Sequence, residues 1–315
     1  MKLAHLRTFV AIADSGGFAR AAARLGMTQS AASRQIDALE SELGLLLFDR
    51  VGRRIRLTSE GEDLLARSRR LLGDIDALGE RARVLKGGQT GTLRISATPQ
   101  VIERLLAPFL MRFLHRHPGV EVRFLEADAT RQQSQLARGE VHLAIMASGA
   151  QQVQSRPLYP IHVVALLPRN HRLHRRAVLD ITELADEQLL LLNHEFGARA
   201  WFDGACNVAG ISPPVLLESR APHTLVALAA VGYGIAVLPS NVQIPQRGVR
   251  TVPLLNRGAP VGRWSVIAWN PQRFLAPYAE QFIKEFVAHV RRDYPGRELT
   301  RRAPRLPRPG RTSDA

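Results

Sequence analysis

Glycine-marked breaks cut the first 44 residues into three short helical stretches, and that spacing leaves few ways for this end of the chain to fold. Leu3, Leu6, Phe9, Val10 and Ala13 recur at helical spacing and form one apolar stripe. Ser15, Gly16 and Gly17 end it. Phe18 to Leu25 is alanine-rich, with Ala19, Ala22 and Ala23 small enough for close helix packing. Gly26 stops this helix, as a residue tolerant of positive φ should. Thr28 or Ser30 then caps the next one. Ala32, Ile36, Leu39 and Leu43 form its buried face, and Gly44 ends it. Two helices joined by a short glycine-containing turn are the helix-turn-helix signature.

The outer face of the third stretch carries Gln29, Ser30, Ser33, Arg34 and Asp37. Short hydrogen-bonding side chains around one arginine suit a helix lying in a major groove, where Gln and Arg read base edges and Ser reaches phosphate. An ordinary polar face is the alternative; the helix-turn signal before it favours DNA. Two apolar runs follow, Leu45–Phe48 and Ile55–Leu57, around Asp49-Arg50-Val51-Gly52-Arg53-Arg54. This reads as a basic hairpin, a wing whose Arg53 or Arg54 enters the adjacent minor groove. A long helix begins at Thr58 or Ser59, where Ser59 and Glu62 have capping-box spacing. In it Leu64, Leu71, Leu78 and Leu85 recur every seven residues, with Ile75 and Ala82 between them and Ser68 as the weak position. That is a coiled-coil seam without a partner in its own segment, so self-pairing is expected. Packing of the helix on its own domain is the alternative.

These residues carry a specific resemblance. Phe18–Leu25, Thr28–Ile36, Leu39–Gly44, Leu47–Arg50 and Leu57–Gly61 resemble, without a gap, the DNA-binding region of LysR-type transcriptional regulators. The resemblance implies a two-lobed effector domain similar to periplasmic binding proteins, its lobes joined by crossover strands near Ala147 and Ser219. It assigns DNA contact to Thr28, Gln29, Ser30, Ser33 and Arg34, with Arg53 or Arg54 on the wing. It departs at Ser30, where the family usually has proline, and that bears on base preference there. The family's partners follow: double-stranded promoter DNA, a homodimer or a homotetramer of two dimers, and RNA polymerase as a further candidate.

The net charge of +15 favours a polyanionic partner, and nucleic acid is the first candidate. Part of that charge sits in a Pro- and Arg-rich C-terminal stretch, read as a disordered basic tail over 294–315. No apolar run is long enough to cross a bilayer, and the N-terminus lacks the pattern of a signal peptide, so no membrane partner is expected. The single cysteine, Cys206, suits a reducing cytoplasm and reads as a small buried hydrophobe.

From Leu93 the pattern changes to alternating strands and helices, implying a parallel sheet covered on both faces. Strands are expected at 93–97, 120–124, 141–146, 163–167, 189–192, 215–217, 235–238 and 264–269, with a last helix near 275–290. The reading is therefore an all-α winged helix-turn-helix domain (1–58), a dimerisation helix (59–90), a two-lobed α/β effector domain (91–293) and the tail. Dimerisation is assigned to Leu64, Leu71, Ile75, Leu78 and Leu85. Ligands of open α/β sheets lie beyond the carboxyl ends of strands, against helix N-termini. The positions so placed are Thr98, Pro99, Gln100, Thr130, Ser148, Asn193, His194, Phe196 and Glu218. Hydroxyls and free N–H groups there suit a small polar or anionic effector; plain helix capping is the alternative for Thr98 and Thr130.

No catalytic reading competes well. There is no G-x-S-x-G elbow, phosphate loop or H-E-x-x-H, and the histidines form no mixed metal-ligand set. No catalytic residue, metal or cofactor is assigned. The chain reads as an effector-controlled, sequence-specific regulator; a ligand-independent architectural DNA binder is the alternative, and an α/β enzyme the lesser one.

Overall fold

The computed structural model of the chain describes residues 1–51, 54–85, 90–244, 248–301 and 305–308. It has two compact units: Met1–Gly88 with Ala137–Glu140 and Gln272–Phe274, and the remainder from Gln89 onward.

The first unit opens with α1 (Leu3–Ser15), α2 (Phe18–Leu25) and α3 (Gln29–Leu43). Gly16, Gly26 and Gly44 end them at φ of 63°, 68° and 67°, the left-handed region where a Cβ is costly. An antiparallel hairpin of β1 (Phe48–Val51) and β2 (Arg54–Leu57) follows, then α4 (Ser59–Leu85). Leu6, Phe9, Ile12, Ile36, Leu39 and Leu47 bury one common core. Phe48 closes it with edge contacts to Phe9 and Phe18, at centroid distances of 5.4 and 6.0 Å. The cap of α4 differs from the expected Ser59–Glu62 box. Thr58 accepts from the Gly61 N–H at 2.9 Å and donates to the Leu46 carbonyl at 2.7 Å, while the Ser59 hydroxyl turns to Glu60. Gly61 is required there: a Cβ would lie 2.2 Å from the Leu47 carbonyl oxygen.

The second unit holds two lobes on one continuous sheet, in the order β4-β3-β5-β13-β6-β10-β8-β9. In lobe 1, β3 (Gly91–Ala97) pairs in parallel with β4 (Val120–Glu126) and β5 (Leu143–Ala147). Between β3 and β4 runs α5 (Pro99–Val101), which continues through a π-helical turn (Ile102–Leu106) into α6 (Ala107–Arg116); α7 (Ala129–Arg138) connects β4 to β5. The fifteen-residue strand β6 (Gln154–Pro168) then carries the chain into lobe 2. There β7 (Leu179–Asp180) leads to β8 (Leu189–Leu192), α8 (Gly197–Ala209), β9 (Val215–Ser219), α9 (Pro222–Ala230) and β10 (Ile235–Pro239). β11 (Val249–Asn256) pairs with β6 and with the short β12 (Ala259–Pro260), and β13 (Gly262–Trp269) returns to lobe 1, followed by α10 (Pro277–Arg292).

The apolar run 189–192 is buried on both faces. Leu189 and Leu191 pack with Phe202, whereas Leu190 and Leu192 pack with Leu225 and Ala229. Cover on both faces is why such a strand reads as continuous rather than alternating hydrophobicity.

Three expectations are corrected. The return crossover is not at Ser219, which pairs with Leu192 at the end of edge strand β9; the strands that pass between the lobes are β6 and β13. Because those two run against their neighbours, the sheet is mixed rather than wholly parallel. The C-terminal stretch is not free of the body over 294–301 and 305–308: Leu299 is 2% exposed and Leu306 8%.

Candidate nucleic-acid interface and effector cleft

The core fixes which face of α3 turns outward. Ala32, Ile36 and Leu39 are buried, so Gln29, Ser30, Arg34 and Asp37 are exposed and Ser33 is half-buried. Two polar ties hold the helix in place. The buried Thr8 hydroxyl on α1 donates to Gln35 Oε1 at 2.6 Å. Glu40 Oε1 accepts from the backbone N–H groups of Leu47 and Phe48, at 2.7 and 3.2 Å. One carboxylate at the far end of α3 thus anchors the first wing strand. At the near end Thr28 caps the helix, accepting from the Ala31 N–H at 3.2 Å, and its hydroxyl lies 3.1 Å from that of Ser30. Arg53 falls outside the described residues, and Arg54 begins β2.

On α4, Leu65 and Ser68 are buried, but Leu71 and Leu78 are 42% and 70% exposed. These two heptad positions therefore face away from the helix's own core; Leu64 and Ile75 are half-buried, and Leu85 is the last residue of the helix.

Between the lobes of the second unit lies a cleft of about 570 Å³. Thr98, Pro99, Gln100 and Phe196 line it, as do the residues flanking Thr130 and Ser148, namely Ala129, Arg131 and Ala147. Thr130, Ser148, Asn193, His194 and Glu218 are not among its lining residues. Two helices start on its wall without a side-chain cap: Thr98 before α5 and Phe196 before α8 make no cap bond. Pro99 has no N–H, so α5 offers the Gln100 N–H and α8 its first N–H groups to an anion. Arg131 and Arg220 add positive charge, Glu126, Asp128 and Glu195 negative, and Glu195 is paired with Arg220. Trp201, Asn241 and Ser265 complete the wall and floor; sequence reasoning missed them. Asn241 stood close to a readable signal, two residues past the strand 235–239. Trp201 sits one helical turn beyond Gly197, on the same face.

His194 and Glu218 serve a different centre. Arg199, 8% exposed, lies behind the cleft wall on α8 and binds both oxygens of Asp203 at 2.8 and 2.9 Å. It also donates to the Leu192 carbonyl and to Glu218, each at 2.8 Å, with His194 at 3.4 Å. Burial works against the guanidinium charge, yet the carboxylates outweigh it and raise its pKa. The hydrogen bond from Arg199 in turn holds Glu218 below the usual carboxylate range. Nearby, burial and then the Asp203 charge push the Cys206 thiol up to about 11. At neutral pH it is a thiol packed in the lobe-2 core, not a reactive thiolate.

One buried and one half-buried imidazole give this unit a pH dependence. Burial lowers the pKa of His162, which is 1% exposed on β6, and of His289 on α10. The unfolded chain takes up protons as pH falls through the ordinary value of 6.5, while the folded imidazoles stay neutral. Protons then favour the unfolded state, so stability is full above that pH and is lost as pH falls below it. Thermal midpoints measured at about pH 7.5 and about pH 5.5 should fall on acidification, and His162→Gln should flatten the fall. An equal slope in both proteins would contradict this assignment.

Among the described residues no group of His, Cys, Asp and Glu side chains could hold a metal ion, and no helix is long and apolar enough to cross a membrane.

A winged helix-turn-helix joined to a two-lobed, clefted α/β unit defines a DNA-binding regulator with an effector-binding domain. Family models agree with both parts: "Bacterial regulatory helix-turn-helix protein, lysR family" matches residues 3–62 and "LysR substrate binding domain" residues 86–291. The chain is 30% identical over 288 residues to the uncharacterized HTH-type transcriptional regulator YnfL of Escherichia coli (strain K12), covering 90% of this chain and 96% of that one. It is similar to a full-length single-substitution variant of OxyR from Pseudomonas aeruginosa, with a TM-score of 0.70, 25% identity and coverage of 98% and 99%. It also shares its fold with full-length CbnR in complex with its target DNA, with a TM-score of 0.62, 24% identity and coverage of 93% and 99%. The chain belongs to the LysR family of transcriptional regulators.

Proposed function

We propose that this regulator acts in the cytoplasm as a dimer, or as a tetramer of two dimers, that sets two α3 helices on a pseudo-palindromic promoter site. The observation that carries the reading is the exposed polar face of α3, tied at mid-helix by Thr8–Gln35 and near its C-terminal end by Glu40. Gln29 and Arg34 contact base edges, Thr28, Ser30 and Ser33 contact the DNA backbone, Asp37 lies on the same face, and Arg53 or Arg54 of the wing enters the minor groove. Exposed Leu71 and Leu78, with Leu64, Ile75 and Leu85, form the dimer seam along α4; the exposure of the first two in one chain is what a partner would remove. CbnR, of the same fold, is known bound to its target DNA.

The cleft holds a small polar or anionic effector. Thr98, Pro99, Gln100 and Phe196 touch it directly. Thr130, Ser148 and Asn193 support the strand ends, and His194 and Glu218 act through Arg199. The uncapped helix starts and unused Thr98 hydroxyl favour a carboxylate or similar group. A bound effector shifts promoter contact only by its differential affinity for two lobe arrangements.

Arg34→Ala tests the DNA reading. On a duplex selected from genomic DNA its affinity should fall about ten- to a hundredfold, while binding to a scrambled duplex is unchanged. Unchanged affinity for the selected duplex would remove Arg34 from base readout.

A further inference from the structure

Among the described residues the chain passes between the lobes three times, not twice. α10 belongs to lobe 1: Phe282 and Phe286 pack on Phe109 at 5.2 Å each. The residues after it then leave that lobe. Tyr294 stacks on Tyr159 of β6, with centroids 5.5 Å apart. Gly296 lies against Ser240, where a Cβ would come within 2.9 Å of the serine side chain. Leu299, in the 3-10 turn Arg297–Arg301, is buried in the lobe-2 core with Val164 and Leu238. At 305–308 the chain meets the other crossing strand. The Leu306 carbonyl accepts from Trp264 Nε1 at 3.2 Å, and the Arg308 guanidinium lies 5.6 Å over the Trp264 ring.

Both crossing strands are therefore held from the side of this segment, while their neighbouring residues form the cleft. Trp264 meets the segment and Ser265 lines the cleft; Ser240 meets the segment, and Pro239 and Asn241 line the cleft. Tyr159 stands between, fully buried, with its hydroxyl beside Ser265 and Asn241 of the cleft wall. All these residues from 294 onward lie beyond the match to the LysR substrate-binding domain, which ends at 291.

We propose that residues 294–301 and 305–308 form a strap across the two crossing strands that limits how far the lobes can turn relative to one another. A two-stranded hinge with a third, side-on tie has fewer soft torsions about which to bend. The tie is made of one aromatic stack, two buried leucines, the Gly296–Ser240 approach and two contacts on Trp264, few enough to be released without dismantling either lobe. The proposal rests on the hinge geometry alone and does not depend on what occupies the cleft.

The test uses the full chain with Cys206→Ser, spin-labelled through Gln133→Cys on α7 and Asn207→Cys on α8, both exposed positions on different lobes. Pulsed dipolar spectroscopy reads the distance distribution between them. A chain ending at Asp293, and separately the point variant Tyr294→Ala, should broaden that distribution at least twofold. Arg308→Ala should give a smaller broadening and a shifted Trp264 emission. If truncation prevents folding, the two point variants decide. Distributions in Tyr294→Ala and Arg308→Ala that overlay the parent would overturn the strap.

Discussion

Phe109→Ala is expected to lower the stability of the second unit by about 3–5 kcal/mol, the usual cost of truncating a fully buried phenylalanine. Phe109 is 1% exposed and meets Phe113, Phe282, Phe286 and His289 with centroids 5.2 to 5.7 Å apart. It joins α6 to α10, and because Phe113 still meets Phe282 at 4.9 Å, the two helices stay docked and the space left by the ring remains as a cavity between them. For a unit of roughly two hundred residues such a loss corresponds to a drop of about 10 °C in thermal midpoint. The helix-turn-helix has its own core of Leu6, Phe9 and Ile36, so a separate transition for that part should not move. Differential scanning calorimetry distinguishes these outcomes. A shift below about 3 °C would mean that the four rings do not form the lobe-1 core.

Arg199→Ala is the second large effect, about 2 kcal/mol. Breaking a fully buried charge pair typically costs about 3–5 kcal/mol. Here the partners soften it, because the Asp203 and Glu218 side chains are 34% and 42% exposed and recover water when the arginine leaves. The Leu192 carbonyl loses its 2.8 Å donor as well. Pairing Arg199→Met with Asp203→Leu should restore part of the loss, since of the two carboxylate partners Glu218 then remains, and at 42% exposure it is solvated rather than stranded. Urea unfolding of the three proteins checks this. A single variant as stable as the parent would show that the cluster is a surface ion pair of little weight.

Most of the N-terminal fold was legible because its punctuation is chemical. Gly16, Gly26 and Gly44 stand where φ is positive, and the apolar residues between them keep helical period. The ties that hold α3 were not legible. Thr8 and Gln35 are far apart in sequence, and Glu40 looks like one more acidic residue on a polar helix face. In the second unit the strands that alternate or run continuously apolar were readable. The two that carry the chain between lobes were read only in part. β6 hides its first half behind Arg156, Pro157 and Pro160, which the pairing accommodates through a register shift opposite Ser265 and Val266. β11 was missed because Arg250 and Pro253 interrupt its pattern. The strand-end rule placed Thr98, Pro99, Gln100 and Phe196 on the cleft, but it could not tell His194 and Glu218 apart from them. Their destination was set by Arg199, whose burial no local pattern announces. The C-terminal stretch read as disorder from its Arg and Pro content, and single residues, Tyr294, Leu299 and Leu306, hold parts of it down.

The central claim is that α3 of a dimer reads DNA sequence, and selection from sheared genomic DNA by the purified protein tests it most directly. The bound fragments, sequenced after several rounds, should share a motif of two half-sites about one helical turn apart or a multiple of it. The motif should bind on the order of a thousandfold or more tighter than a scrambled duplex, and Arg34→Ala should fail to enrich it. Fragments enriched without a common motif, and equally by the parent and Arg34→Ala proteins, would mean that only the chain's positive charge had been detected.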